Sequence, residues 1–191
     1  MNDTEKADSV GPESPEKIAA ERVQRLNEIN GRIKVIGGQR TIEGAVDLSF
    51  LELTELPDFS DLYIKDGSFD CSNNKLTSLK GSPMHVDWHF YADNNEITSL
   101  EHASPYIGSF LSCEHNNISS FDHCPKTILG SIFARRNPIT SLNGVAVIDY
   151  GEITADNFNN DQYKKYLEDL KLLESMDSET AELFDKIVKT I

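Results

Sequence analysis

Among the 191 residues, the side chains with the widest chemical reach are five histidines and three cysteines. His102 and His123 stand 21 residues apart and Cys124 follows the second, which would begin a zinc site. A tetrahedral site takes three or four ligands, and no further ligand is spaced to join them. His115 sits beside Glu114 and within one repeat of Asp93, a pairing suited to acid–base chemistry, yet no nucleophile or oxyanion donor shares that spacing. No glycine loop followed by lysine offers a phosphate cradle. The expectation is therefore a protein with no catalytic residue, no metal and no cofactor. A different chemistry, that of a binding surface, is carried by His89, Tyr91, Asp93, Phe110, Glu114, Phe133 and Arg135, which only a regular scaffold could bring together.

The scaffold is a repeat. From Gly67 to Ile153 the sequence matches itself at a shift of 21. Phe69, Phe90, Leu111, Ile132 and Ile153 form one column, and Cys71, Ala92, Cys113, Ala134 and Ala155 a second. Asn74, Asn95, Asn116 and Asn137 form a third. Leu76, Ile97, Ile118 and Ile139, then Leu79, Leu100, Phe121 and Leu142, complete the pattern. A fixed period of this size marks a solenoid, in which each unit buries its apolar face only against its neighbours. The alternating pair that opens each unit reads as a short strand with one face inward. The asparagine then ends the strand, its amide serving backbone groups left unpaired as the chain turns, so that stacked asparagines form a ladder. Pro83, Pro105 and Pro125 fall on the return leg, which predicts an extended or polyproline-like segment with irregular convex sides.

The unit L-x-L-x-x-N-x-L-x-x-L resembles the leucine-rich repeat of the short, 21-residue type. The NNKLTSLKGSP and NNEITSLEHASP runs starting at Asn73 and Asn94 are similar to repeat proteins encoded by tailed bacteriophages. That resemblance implies a small binder that inhibits or redirects a host protein. Short repeats of this kind also precede a ubiquitin-ligase domain in bacterial secreted effectors, but too few residues follow here and none is a cysteine, so that activity is not carried over. Val46, Leu48, Leu53 and Leu56 repeat the spacing 23 residues before Phe69, Cys71, Leu76 and Leu79, with Leu51 at the asparagine position, and are read as a degenerate first coil. Ile42, Val86, Ile107 and Ile128 add a core column on the return leg. The expected fold is thus an α/β solenoid, a parallel sheet of about six strands with helical caps at both ends.

Four segments follow. Residues 1–13 are a polar tail expected to be disordered. Residues 14–41 form an N-terminal cap, with Ser14-Pro15 starting a helix, Ile18, Ala19, Val23, Leu26 and Ile29 as its apolar stripe, Gly31 ending it and a strand-like Arg32 to Ile36 beyond. Residues 42–156 are the solenoid. Residues 157–191 form a C-terminal cap of two helices, one bearing Tyr163, Tyr166, Leu167, Leu170 and Leu173, and one capped by Asp177 and bearing Leu183, Phe184, Ile187, Val188 and Ile191.

Composition sets the remaining bounds. With 18 basic and 32 acidic residues the formal charge is −14, and no basic stripe survives that balance, so direct nucleic-acid binding through phosphates is disfavoured. No apolar run is long enough to span a membrane and the N-terminus lacks a signal-peptide pattern, so a cytoplasmic protein is expected, in the host cytoplasm if phage-encoded. Cys71 and Cys113 share a column with alanines and read as small core residues, and an odd cysteine count fits no secreted disulfide framework.

If Phe90 and Ala92 point inward, then His89, Tyr91 and Asp93 point outward, followed one coil later by Phe110, Ser112 and Glu114 and then by Ser131, Phe133 and Arg135. Aromatics exposed on the concave strand face beside a mostly acidic column of Ser72, Asp93, Glu114, Arg135 and Asp156 predict a protein-binding module, monomeric or weakly oligomeric, whose partner is a protein carrying basic residues at its rim. The competing expectation is an acidic mimic of nucleic acid that occupies the DNA- or RNA-binding groove of a host enzyme.

Overall fold

The computed structural model describes residues 14–145, 151–158 and 160–174. The expected disordered tail and the second C-terminal helix lie outside them. Helix α1 spans Pro15–Arg32. The strands are β1 (Lys34–Ile36), β2 (Gln39–Glu43), β3 (Val46–Asp47), β4 (Leu62–Lys65), β5 (Phe69–Asp70), β6 (His85–Val86), β7 (Phe90–Tyr91), β8 (Tyr106–Ile107), β9 (Leu111–Ser112), β10 (Thr127–Ile128), β11 (Ile132–Phe133) and β12 (Ile153–Thr154), and helix α2 spans Asn160–Glu174.

A parallel β-solenoid of about five turns results, with a helix at each end. The front sheet runs in the order β3-β5-β7-β9-β11-β12, and its register is the sequence columns read off in space: Val46 pairs with Phe69, Phe69 with Phe90, Phe90 with Leu111, Leu111 with Ile132 and Ile132 with Ile153. Each of these residues is fully or almost fully buried. A two-residue strand has too few hydrogen bonds to persist alone, so stacking on both neighbours holds it in place.

The return leg is more regular than the prolines suggested. It forms a back sheet in the order β1-β2-β4-β6-β8-β10, parallel except for the β1–β2 hairpin. The column of Ile42, Ile64, Val86, Ile107 and Ile128 lines its inner side. These β-branched residues suit a pleated, half-buried surface, and the prolines lie just ahead of β6, β8 and β10, where a missing N–H interrupts no ladder. Ile64 belongs to the column although it stands five residues, not four, before its front strand. The second coil thus carries one extra residue in its bend. There Gly67 passes so close to Gly44 that a Cβ on it would lie 2.3 Å from the Gly44 carbonyl carbon, which leaves room only for glycine.

The asparagine ladder binds coil to coil through the backbone. Asn95 Oδ1 accepts the Leu76 N–H of the preceding unit at 3.0 Å, while its Nδ2 donates to the carbonyls of Cys71, Ala92 and Asp93 at 3.1–3.2 Å. Asn116 and Asn137 repeat the arrangement, and Asn74 Oδ1 serves both Leu51 and Leu53 in the degenerate coil. Immediately before each ladder position the chain takes a left-handed turn, with φ of 54–58° at Phe50, Asn73, Asn94, His115 and Arg136. A second left-handed column runs through Gly81, His102, His123 and Gly144.

The N-terminal cap works differently from its expected apolar stripe. Helix α1 continues through Gly31 to Arg32, and only Ile29 of the stripe is buried, while Val23 and Ala19 face solvent. What docks it is a set of arginines. Arg22 donates to Leu51 O, Arg25 to Ser49 O at 2.9 Å, and Arg32 to Glu43 O at 2.8 Å. The first coil presents carbonyls with no coil before it, and guanidinium groups satisfy them where an apolar surface would not. At the other end Tyr163 of α2 is buried against the last coil, with Tyr166 and Leu167 packed beside it.

Candidate protein-binding face

Six two-residue strands, each about 5 Å from the next, hold the outward residues of the front sheet in rows. His89 stacks flat on Phe110, with centroids 4.1 Å apart and planes at 16°. Tyr91 meets Phe110 edge-on at 5.2 Å and Phe133 meets it at 5.4 Å. Tyr91 and His89 are 5.9 Å apart. The structure thus brings the four rings together around Phe110 as the alternation predicted. They are not openly exposed, however. All four are half-buried because they cover one another, as cross-strand ring pairs do. His89 Nδ1 is buried without a hydrogen-bond partner.

The acidic residues flank this cluster. Asp93 Oδ1 accepts the Ser112 hydroxyl at 2.6 Å and the Glu114 N–H at 2.7 Å, tying one coil to the next. Burial pushes its carboxyl above the ordinary carboxylate range and the nearby Asp70 adds to the shift, against the pull of those hydrogen bonds. Tyr91 is raised by burial and then by the charges of Asp70 and Asp93. Among the described residues no lysine or arginine forms an ion pair with Asp70, Asp93 or Glu114. Glu114 is half-buried and Arg135 exposed at the far edge of the row. Asp156 accepts the Arg136 N–H at 2.7 Å.

The other reactive residues are placed by backbone geometry. His102 and His123 are exposed at left-handed turns, and among the described residues no group of three or more His, Cys, Asp or Glu side chains gathers as a metal site. Cys71 and Cys113 are fully buried, and burial holds their thiols far above the usual range, which keeps them protonated and unreactive. His115 is exposed at the turn after Glu114.

Two features escaped the sequence reading. Tyr63, His85 and Tyr106 stack on the outer side of the back sheet with centroids 4.1 Å apart at each step. Asp87 anchors the stack, accepting the Tyr63 hydroxyl at 2.8 Å and pairing with His85 Nε2 at 2.9 Å. Burial and this bond push the Tyr63 hydroxyl up to about 12. The signal is an aromatic or imidazole residue one position before Ile64, Val86 and Ile107, on a return leg whose prolines point to irregular structure. The second feature is the set of truly exposed apolar residues, of which Trp88 and Leu129, each 51% exposed, lie on the bend leading into the front sheet. Trp88 occupies a column otherwise held by Gly67, Ser109, Gly130 and Gly151, and a tryptophan among glycines was the available clue.

No protein-family profile matches the chain, and comparison with curated proteins and with solved structures likewise returns no match. No helix among the described residues is long and apolar enough to cross a membrane.

Proposed function

We propose that the protein is a non-enzymatic binding module that engages a protein partner through the front sheet. The observation that carries this reading is the ring cluster of His89, Tyr91, Phe110 and Phe133 on a sheet whose Asp70, Asp93 and Glu114 carboxylates have no basic partner among the described residues, with Trp88 exposed one residue before His89. Interfaces are enriched in aromatic anchors ringed by charge, and Trp and Tyr commonly supply their hot spots. Carboxylates at Asp70, Asp93 and Glu114 favour a partner with lysine or arginine opposite them. The leucine-rich-repeat and phage resemblance adds the context of a small cytoplasmic effector that inhibits or redirects a host protein.

Capture from a bacterial host extract on immobilised protein, compared between wild type, Trp88→Ala and the Tyr91→Ala/Phe133→Ala pair, tests the reading. Both variants are expected to lose a partner that the wild type retains in moderate salt. Carboxylates on three successive coils, Asp70, Asp93 and Glu114, none ion-paired among the described residues, support the second reading, an acidic mimic of nucleic acid. Capture that survives loss of the rings but vanishes in Asp93→Asn/Glu114→Gln, and that weakens steeply with salt, would establish the mimic in its place.

A further inference from the structure

The two sheets begin very differently. The first front-sheet coil lies under α1, whose arginines occupy its free carbonyls. The first back-sheet strand, β1, pairs with β2 alone, and no other described strand pairs with its free edge. All three of its residues are exposed, Val35 at 69% and Ile36 at 60%. Gly37 and Gly38, both at positive φ, close the hairpin in two residues, and Ile36 faces Gln39 across the turn. In such a hairpin the pair flanking the turn is hydrogen-bonded and the next pair is not. Val35, opposite Arg40, therefore directs its N–H and C=O away from β2, toward solvent. Natural proteins blunt free edges of this kind, and β1 has its short length of three residues and Lys34 for the purpose.

The surroundings of the edge run against the charge of the molecule. Arg32, Lys34, Ile36, Thr41, Glu43 and Lys65 line a groove of about 460 Å³ beside β1. Lys65 pairs with Glu43 and with Asp66, each at 3.7 Å, and among the described residues Arg32 and Lys34 form no ion pair, in a chain of net charge −14. Lys34 and Ile36 share one face of the strand, and Thr41, opposite Lys34, and Glu43, opposite Lys65, continue that row across β2 and β4.

We propose that β1 accepts an extended segment of another polypeptide by strand addition, and that this segment alternates acidic with apolar residues. Its backbone pairs with Val35, its carboxylates lie over Lys34 and Arg32, and its apolar side chains cover Ile36. A second copy of the chain is the poorer occupant, because it would set Arg32 and Lys34 of one hairpin against the same cations of the other. The site is on the back sheet and does not depend on the front-sheet reading.

The test uses the full chain, isotope-labelled, with a blocked peptide of alternating Glu and Val as probe. Controls are its Lys–Val counterpart and a version N-methylated at the valines. The Glu–Val peptide is expected to slow exchange of the Val35 amide by about tenfold or more, and neither control to do so. Lys34→Glu, on an exposed side chain that forms no ion pair among the described residues, should weaken the peptide about tenfold or more with the melting temperature unchanged. Unaltered Val35 exchange at millimolar peptide, or equal binding by either control, overturns the proposal. So does self-association of the free protein that Val35→Pro abolishes, which would assign the edge to a second copy.

Discussion

Asn95 accepts the N–H of Leu76 at 3.0 Å across 19 residues of sequence, a bond that joins consecutive coils inside the core. Both residues are buried, and the Asn95 amide serves three further carbonyls. Asn95→Ala would leave these groups in a site closed to water, so a loss of about 1–3 kcal/mol is expected, read by chemical denaturation. Its neighbour is not a neutral control. Asn94 holds φ at +54°, where asparagine is tolerated and alanine is not, so Asn94→Ala is expected to cost about 1 kcal/mol. Asn94→Gly is the better control and should leave stability nearly unchanged; a Gly variant as damaged as Asn95→Ala would refute the ladder's role.

Phe50 is the least suited occupant of the same left-handed column, at φ +58° with its ring 66% exposed. A bulky side chain in that conformation carries backbone strain of about 1–2 kcal/mol that glycine relieves. Phe50→Gly is therefore expected to raise the melting temperature despite the flexibility it adds to the unfolded chain. A lowered melting temperature would mean that the exposed ring makes a stabilising contact.

Two hydrogen-bonded aspartates, Asp93 and Asp87, should respond to pH in opposite senses. Asp93 has its folded carboxyl raised above the ordinary 3.8, chiefly by burial, so the folded chain holds that proton more tightly than the unfolded chain. Its contribution to stability falls as pH rises from 3.8 through the raised value. Asp93→Asn keeps the acceptor for Ser112 and Glu114 and removes the charge, and should exceed wild type in melting temperature at neutral pH, with the gap closing in acid. At Asp87 burial acts upward, but the bonds from Asp66 N–H, Tyr63 and His85 outweigh it and the carboxyl is lowered. Its stabilising contribution is present above 3.8 and lost as pH falls through the folded value, so Asp87→Asn should be less stable than wild type at neutral pH. Parallel melting curves across the pH range for both variants would contradict this division.

Tyr163 is 4% exposed where α2 meets the last coil. Truncating so large a buried ring costs about 3 kcal/mol, and Tyr163→Ala is expected to unfold at correspondingly lower denaturant. Removing the chain after Asn160 should further expose the Ile153 end of the stack and give aggregation. A soluble truncation with an unchanged transition would show that α2 is dispensable to the fold.

Much of the architecture was legible because in a solenoid the spatial neighbours of a residue lie at a fixed offset in the chain. The columns of Phe69, Phe90 and Leu111 and of Asn74, Asn95 and Asn116 are therefore statements about packing and hydrogen bonding as much as about sequence. Period-two alternation likewise put His89, Tyr91, Phe110 and Phe133 on one outward face, where the structure joins them. The tertiary structure decided what alternation cannot encode. Outward position does not fix exposure, and these rings shelter one another because Phe110 lies within reach of the other three. Backbone sign is silent in a residue such as His115 or Arg136, since the turn it must make is imposed by the ladder asparagine that follows. The back sheet emerged only when Ile64 was pulled into line by its neighbours, one extra residue being absorbed where Gly67 passes Gly44. Arginine docking of α1 was hidden for a related reason: the carbonyls of Ser49 and Leu51 need donors only because the stack has a first coil, and an end is a property of the assembled structure that no repeat unit contains.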